Sequence, residues 1–222
     1  MRLMNRKSSQ LKNKINLINL VTSNSPNSRI SEEYRTIRTN FLGSVDGRKT
    51  QSLIVTSPNH NEGKSTTAAN LAISLTQLGK KVLLIDADLR RPKLFSAFNI
   101  GNSLGLSSVL TGENRLEDAI KNTEIKGLDL LPSGPTLANA ADLLGSILMK
   151  TLIETATNQY DMVLVDTPPV LEFADVKIFS DYCDGVILVI RYGKTESNDL
   201  IQAKKLLSDS SKLVGVILNN KR

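Results

Sequence analysis

The chain has 222 residues, of which 40% are hydrophobic, and this suits one α/β domain whose core needs no disulfide bond. With one cysteine, Cys183, and one histidine, His60, the chain offers no cluster of soft metal ligands. Its formal net charge is +6, but six of the 28 basic residues lie within residues 1–30, which hold no acidic residue, so the remainder is balanced.

The amino-terminal segment, residues 1–28, is basic and rich in Asn and Ser. This composition is typical of a flexible, solvated arm, and attraction to anionic lipid or to an acidic partner is an alternative interpretation. We predict that residues 29–222 form the domain. Because that domain is balanced in charge and the chain has no Trp, we expect no nucleic-acid partner. The sequence shows neither a secretory signal nor an apolar run near the roughly 18 residues that span a bilayer, so we expect a cytoplasmic protein.

Short aliphatic runs alternate with helical patterns beyond the arm, which indicates repeated βαβ units. The predicted strands are residues 53–55, 82–85, 128–131, 162–165, 186–190 and 214–218. The predicted helices are residues 31–42, 65–78, 139–157, 173–181 and 196–208, and residues 92–122 are expected to form loops with short helices. The pattern therefore predicts a three-layer α/β/α fold with a mostly parallel sheet.

A candidate phosphate-binding loop follows the first predicted strand and leads directly into a helix. Backbone N–H groups at such a junction converge on phosphate oxygens, a lysine adds a cation, and a serine hydroxyl is a ligand for Mg²⁺. The predicted nucleotide-binding residues of this loop are Asn61, Glu62, Gly63, Lys64, Ser65 and Thr66. We therefore predict a fold like that of the P-loop nucleoside triphosphatases, with ATP and Mg²⁺ as ligands.

The loop departs from the usual P-loop pattern at two positions. Pro58 stands where the first glycine is expected, and Asn61 stands at a second position that is often glycine. Asn tolerates positive φ better than most residues, so Asn61 is compatible with the loop. An ordinary turn between a strand and a helix is the alternative interpretation.

Three aspartates stand at the ends of two other predicted strands. Asp86 and Asp88 follow the strand at residues 82–85, and Asp166 follows the strand at 162–165. Open α/β sheets bind ligands at the carboxyl ends of their strands, so we predict that these carboxylates share the phosphate site. For any one of them alone, a helix cap or a turn would be the preferred explanation of the aspartate, and their shared position at strand ends reverses that preference.

Two residues near the carboxyl end bear on the nucleotide base. Asn219 follows the last predicted strand, where its amide could read an adenine edge, and a simple turn asparagine is an equally good interpretation. Arg191 follows the strand at residues 186–190 and is interpreted as a surface arginine that could also approach the nucleotide.

Several segments together resemble the bacterial tyrosine kinases. Gly63-Lys64-Ser65, the sequence IDADLRRP at residues 85–92 and the sequence DTPP at residues 166–169 resemble the three Walker-type motifs of that family. Residues 131–135, LPSGP, and residues 32–40, EEYRTIRTN, also match the family pattern. From residue 30 to residue 219 the chain resembles the cytoplasmic kinase subunit of Gram-positive capsule and exopolysaccharide systems, which works with a separate membrane adaptor.

The resemblance implies transfer of a phosphoryl group from ATP to tyrosine. By the same resemblance, Ser65 and Asp166 would serve Mg²⁺, Asp86 would assist metal binding, and Asp88 would accept the proton of the tyrosine. Lys64 would neutralise the transferred group, and such transfer depends mainly on positioning and charge neutralisation.

The resemblance also implies an assembly. Glu32, Arg35 and Arg38 would join neighbouring subunits into a ring, although without the resemblance a solvated charged face with internal ion pairs would be the preferred interpretation. The implied partners are a membrane adaptor that regulates polysaccharide chain length, which would hold the chain at the inner face of the membrane, and a cognate tyrosine phosphatase.

The chain lacks the carboxyl-terminal tyrosine cluster that such kinases generally carry. Its four tyrosines are scattered, and we expect packing roles for Tyr160, Tyr182 and Tyr192, with Tyr34 as an accessible phosphorylation target.

Two other functions stay open. Partition and division-site ATPases usually carry an extra lysine five residues before the loop lysine, and this chain has Asn59 there. A nucleotide-binding regulatory module without turnover is the second alternative.

Overall fold

The computed structural model describes residues 18–42, 51–137, 140–173, 176, 180–208 and 212–220. Its centre is a seven-stranded sheet with the order β3-β4-β2-β5-β1-β6-β7. The strands are β1 Ser52–Thr56, β2 Val82–Asp86, β3 Lys121–Asn122, β4 Leu128–Leu131, β5 Met162–Asp166, β6 Gly185–Arg191 and β7 Leu213–Asn219. All neighbouring strands pair in parallel except β3, which pairs antiparallel with β4 at one edge.

Helices cover both faces of this sheet. They are α1 Val21–Asn24, α2 Arg29–Leu42, α3 Lys64–Thr76, α4 Leu94–Ala97, α5 Leu106–Leu110, α6 Leu116–Ala119, α7 Ala140–Leu144, α8 Ile147–Gln159 and α9 Ser197–Ser208. Successive residues of β1 show the layering: Leu53 and Val55 pack with α3 and α2, whereas Ile54 packs with α8 and α9 on the other face. The predicted three-layer α/β/α fold with a mostly parallel sheet is therefore confirmed, because side chains of a strand alternate between faces.

The predicted elements agree with this structure in type, and differ at two places. The predicted helix at residues 139–157 is two helices, α7 and α8, separated by Gly145 and Ser146, and the Ser146 side chain accepts a hydrogen bond from the Met149 N–H at 3.4 Å. The short strand β3 is not predicted by the sequence pattern, because two residues show no periodicity. Most of the predicted helix at residues 173–181 lies outside the described residues.

Part of the predicted amino-terminal arm packs against the domain. Thr22 is fully buried, its N–H donates to the Asn70 side-chain oxygen at 2.9 Å, and the Asn70 amide donates to the Asn19 carbonyl at 2.8 Å. The Ser31 hydroxyl of α2 also bonds to this segment, because it donates a hydrogen bond to the Ser25 carbonyl at 2.7 Å. Residues 18–28 are thus attached to α3, and the arm stays a prediction for residues 1–17, which lie outside the described residues.

Two expectations about α2 are wrong. The sequence predicts an accessible Tyr34, yet Tyr34 is 8% exposed and its pKa is raised, chiefly by burial against α3. The sequence also predicts that Arg38 shares an exposed face with Glu32 and Arg35, but Arg38 is buried and its guanidinium donates to the Ser74 carbonyl. The helix turns by about 100° per residue, so a spacing of three drifts around its surface and carries the third residue towards α3.

Within the described residues, no helix combines the length and the apolar character that crossing a bilayer requires.

Candidate active site

The candidate site is a cavity of about 300 Å³ at the carboxyl ends of the central strands. Residues from the loop after β1, from the segment after β2 and from the ends of β6 and β7 surround it. The lining residues are Ile18, His60, Asn61, Gly63, Lys64, Ser65, Thr66, Asp88, Arg91, Lys93, Arg191, Asn219 and Asn220. Parallel strands point the same ends of their backbones to one edge of a sheet, so residues distant in sequence meet here.

The loop after β1 has the backbone geometry of an anion-binding turn. Gly63 has φ of 102° and immediately precedes α3, whose first residue is Lys64. Asn61 has φ of 61°, which agrees with the tolerance of asparagine for positive φ. A Cβ on Gly63 would lie 2.0 Å from the Asn219 amide nitrogen at a backbone angle that L side chains rarely adopt, so a substitution here would be strained and would displace the Asn219 side chain. Lys64, Ser65 and Thr66 of the first turn of α3 line the cavity, and the N–H groups of a first helical turn have no partner within the helix.

A charged floor lies beneath the loop, formed by Lys64, Asp86, Asp88 and Asp166. The Lys64 ammonium is 2.7 Å from Asp88 Oδ2 and 3.6 Å from Asp166 Oδ1, and it donates to the Ser65 hydroxyl at 3.2 Å. The side chains of Lys64, Asp88 and Asp166 are 8%, 3% and 1% exposed. Asp86 and Asp166 are direct partners in the pairing of β2 with β5. The predicted meeting of the three carboxylates with the loop lysine is thus present in the fold.

The pairing of Lys64 with Asp88 shifts both pKa values away from what burial alone would give. Burial lowers the pKa of Lys64, but the Asp166 and Asp88 carboxylates outweigh it and the net pKa is raised. Burial raises the pKa of Asp88, but the Lys64 ammonium outweighs it and the net pKa is lowered. Both groups are therefore held in their charged forms at neutral pH.

The two deeper carboxylates behave differently. Burial first, and the neighbouring Asp166 charge second, raise the pKa of Asp86 to about 7. Burial likewise raises the pKa of Asp166 to about 6, against the opposing effect of Lys64. Two like charges in a buried site disfavour each other, so one cation on the floor does not suffice for all three carboxylates.

The surroundings of Asp166 fit a divalent cation. Both of its carboxylate oxygens are buried, and neither accepts a hydrogen bond of ordinary geometry from the described residues. The Ser65 hydroxyl lies beside Lys64 on the same floor. Mg²⁺ takes oxygen ligands, keeps several waters and needs only one or two carboxylates in addition to phosphates, so Asp166 and Ser65 are a suitable donor pair. The orphaned oxygens are the observation that agrees with a magnesium site.

Asp86 already has partners for its oxygens. Its Oδ2 accepts from the backbone N–H groups of Lys93 at 3.2 Å and Leu94 at 3.1 Å, and its Oδ1 accepts from the Asp88 N–H at 3.3 Å. Asp86 therefore fixes the segment that carries Asp88, and its predicted assistance to a metal stays a prediction.

Glu62 stabilises the loop through its own side chain. The carboxylate accepts from the Asn59 N–H at 3.0 Å and from the Thr195 hydroxyl at 2.6 Å, and Glu62 is 1% exposed. The Asn219 amide donates to the Glu62 carbonyl at 2.9 Å. Glu62 therefore holds the loop in place and does not itself line the cavity, whereas its neighbours Asn61 and Gly63 do. The adenine-reading role of Asn219 stays a prediction.

A rim turn, residues 191–196, is not identified by the sequence pattern. The Arg191 guanidinium donates to the Asn61 carbonyl at 3.1 Å, and the Lys194 ammonium donates to the His60 carbonyl. The Thr195 hydroxyl adds the bond to Glu62 described above. The signal available in the sequence is only a basic residue at the end of a predicted strand, which is common on protein surfaces.

The loop is also fixed from two other directions. The Asn59 amide donates to the Asp199 carboxylate of α9 at 2.6 Å, and the His60 imidazole lies 2.7 Å from the Glu172 carboxylate. The Phe173 ring, whose centre lies 6.2 Å from that of the His60 ring, also has the Arg90 guanidinium 4.3 Å from its centre, a cation–π contact. Asn59, at the position of the extra lysine of switch ATPases, is thus engaged within its own chain.

Comparison with known proteins gives four findings that bear on this site. The sequence model of the AAA domain family matches residues 59–211. The tyrosine-protein kinase YwqD of Bacillus subtilis is 49% identical over 206 residues, which cover 92% of this chain and 86% of YwqD.

Two solved structures match nearly the whole chain. The chimerical protein CapA2B2 superimposes with a TM-score of 0.87 at 37% identity, over 91% of this chain and 89% of that one. The kinase domain of the Escherichia coli tyrosine kinase ETK superimposes with a TM-score of 0.87 at 28% identity, over 96% of this chain and 84% of that one.

Proposed function

Because the chain belongs to the family of bacterial tyrosine-protein kinases, we propose that it transfers the γ-phosphoryl group of ATP to a tyrosine hydroxyl, with Mg²⁺. The observation that carries this proposal is the convergence of Lys64, Asp88 and Asp166 beneath a loop shaped for phosphate. These groups supply the positioning and the charge neutralisation on which phosphoryl transfer depends.

Lys64, Asp88 and Asp166 have distinct parts in the proposed reaction. The N–H groups of the loop and Lys64 would hold the phosphates, and Asp166 with Ser65 would hold Mg²⁺, which when bound would supply charge neutralisation. The tyrosine oxygen forms a bond to the γ-phosphorus as the bond to the β–γ bridging oxygen breaks. Asp88 accepts the tyrosine proton, and ADP leaves.

The ion pair between Lys64 and Asp88 implies that ATP binds before Asp88 accepts a proton. The Lys64 ammonium lies 2.7 Å from the Asp88 carboxylate. Triphosphate carries more negative charge than one carboxylate, so we propose that ATP draws Lys64 away from Asp88. Asp88 then loses the partner that lowers its pKa and becomes a better proton acceptor.

The alternative of a partition or division-site ATPase is not favoured. The relatives matched over most of the chain are tyrosine kinases, and Asn59 occupies the position of the extra lysine. A regulatory module without turnover is disfavoured by the Asp88 carboxylate, which nucleotide binding alone would not require.

The proposal is tested by incubating the pure chain with γ-labelled ATP and Mg²⁺, with and without the cytoplasmic segment of the candidate adaptor. Phosphotyrosine is the expected product. Release of inorganic phosphate without labelled tyrosine would favour the switch ATPase, and binding without turnover would favour the regulatory module.

The proposed partners follow from family membership. We propose a membrane adaptor that regulates polysaccharide chain length, and through it an attachment to the inner face of the membrane. The matched structure CapA2B2 is that of a chimerical protein, which is compatible with such a pairing. Assembly into a ring through α2 and removal of phosphate by a cognate phosphatase are part of the same proposal, with Glu32 and Arg35 as the exposed members of the α2 surface.

A further inference from the structure

All four tyrosines lie among the described residues, so each can be compared as a phosphoryl acceptor. Three of them are committed to the fold. The Tyr160 hydroxyl donates to the Asp129 carboxylate at 2.9 Å, the Tyr182 hydroxyl donates to the Gly145 carbonyl at 2.9 Å, and Tyr34 is buried against α3. Each of these would have to leave its packing site before its oxygen could reach a γ-phosphate.

Tyr192 is different, because its side chain is 60% exposed. It directly follows Arg191, the last residue of β6, and its N–H donates to the Asn219 carbonyl at 2.9 Å. Arg191 and Asn219 both line the cavity. The expectation that Tyr192 has a packing role is therefore wrong, and the residue lies on the rim of the candidate active site.

The rim turn holds Tyr192 in a defined place. The Lys194 and Thr195 N–H groups donate to the Arg191 carbonyl at 3.1 and 3.0 Å, and the Thr195 hydroxyl accepts from the Arg191 N–H at 2.8 Å. The turn is bonded to the phosphate-binding loop through Arg191 and Lys194. An exposed phenol on a fixed turn loses little conformational freedom when it enters another molecule's cavity.

We propose that Tyr192 is a phosphorylation site of this chain, modified in trans by a second copy; this rests on the kinase activity proposed above. The Tyr192 oxygen forms a bond to the γ-phosphorus of ATP held by the second copy, and the bond to the β–γ bridging oxygen breaks. The hydroxyl proton passes to Asp88 of that second copy, and ADP leaves.

Two features favour transfer between copies and acceptance of the product. The Tyr192 side chain is 60% exposed and its backbone is bonded to Asn219 on the rim, which leaves the phenol open to the cavity of a second copy. Arg191 and Lys194 flank the acceptor and carry positive charge, which offsets the dianion that phosphorylation adds.

A mixing experiment tests the site and the direction of transfer. A Tyr192→Phe chain is the donor, and a Lys64→Met chain of distinguishable size is the acceptor, in γ-labelled ATP and Mg²⁺. The expected result is label on the acceptor at Tyr192, located by peptide mass spectrometry. An acceptor with both Lys64→Met and Tyr192→Phe should lose that label. An Asp88→Asn acceptor repeats the test if Lys64→Met does not fold.

A random copolymer of Glu and Tyr separates this inference from the kinase proposal. Phosphorylated copolymer together with an acceptor that stays unlabelled, or that is labelled at another tyrosine, would overturn the assignment of Tyr192. Wild-type label on Tyr192 that never passes to the Lys64→Met or Asp88→Asn acceptor would overturn transfer in trans. If wild type labels neither the copolymer nor itself, the proposed kinase activity fails, and the inference fails with it.

Discussion

The chain places opposite charges side by side in two very different environments, the charged floor and the outer side of α2. On the floor, Lys64 and Asp88 are 2.7 Å apart with side chains 8% and 3% exposed. On α2, Arg35 pairs with Glu32, and their side chains are 29% and 67% exposed. Water screens the second pair and leaves it worth at most about 1 kcal/mol, whereas breaking a buried pair leaves an uncompensated charge. Both pairs join one positive and one negative side chain, so the difference in burial is what distinguishes the candidate active site from the pair on α2.

Among substitutions in the charged floor, we expect the largest effect from Asp88→Asn, on the rate of phosphoryl transfer. Asp88→Asn keeps the shape of the side chain but cannot take a proton, so transfer to a Glu–Tyr copolymer should slow by about 10² to 10⁴-fold. ATP affinity, measured by calorimetry, should change little by comparison. An equal loss of Mg-ATP binding would instead make Asp88 a metal ligand.

Removing the cation of the floor should weaken nucleotide binding. In Lys64→Met the charged hydrogen bonds to phosphate are lost, each worth about 1.5–3 kcal/mol, so ATP affinity should fall by about 10 to 10²-fold. Calorimetry measures this, with circular dichroism to verify folding.

Lys126→Met is the matched control for that measurement. Lys126 is exposed and lies next to the amino end of β4, at the opposite edge of the sheet from the cavity, so its loss should leave affinity unchanged. Wild-type affinity in Lys64→Met would contradict the phosphate-binding assignment.

The deep carboxylates predict a pH dependence of stability. Burial raises the pKa of Asp86 to about 7 and that of Asp166 to about 6, whereas both titrate near about 3.9 when unfolded. The folded chain therefore binds more protons than the unfolded chain between about pH 4 and pH 7, and the free energy of unfolding should fall as pH rises through that window. Each pKa unit corresponds to about 1.4 kcal/mol. Asp88, whose pKa is lowered, acts with the opposite sign and only below about pH 4.

Urea unfolding at about pH 5 and about pH 7.5 measures this slope. Asp166→Asn should flatten it, because one of the two buried acids is removed, while Glu124→Gln at an exposed position should not. A free energy of unfolding that rises from about pH 5 to about pH 7 in the wild-type chain would contradict this prediction. It would show that Asp86 and Asp166 lose their protons without destabilising the fold.

The smallest stability effect is expected on α2. Replacing both Glu32 and Arg35 by alanine should lower the free energy of unfolding by about 1 kcal/mol, since the ion pair is partly exposed and Arg35 also donates to the Pro26 carbonyl at 2.6 Å. If α2 is the assembly surface, the same variant should bind ATP as wild type does but no longer self-associate, which light scattering in Mg-ATP would detect.

An oligomer of unchanged size in the double variant would assign assembly to another surface. Arg38 is left intact in this variant because it is buried and donates to the Ser74 carbonyl, so its removal would mix a packing defect with the test of assembly.

The sequence by itself determined the fold class and the main members of the site. Aliphatic runs mark the strands because parallel strands are buried on both faces, and Gly63 with Lys64 marks the loop because phosphate needs a close backbone and a cation. Asp86, Asp88 and Asp166 could be grouped because strand ends share one edge of the sheet.

Only the tertiary structure decided which charged and aromatic side chains are exposed to solvent. The sequence predicts an accessible Tyr34 and a packed Tyr192, yet α3 covers Tyr34, and the turn after β6 leaves Tyr192 exposed. Arg191 donates to the Asn61 carbonyl and Thr195 donates to the Glu62 carboxylate, and local spacing cannot express such contacts between distant segments. Periodicity reports which residues share a face of one element, but burial and pairing depend on which element packs against that face.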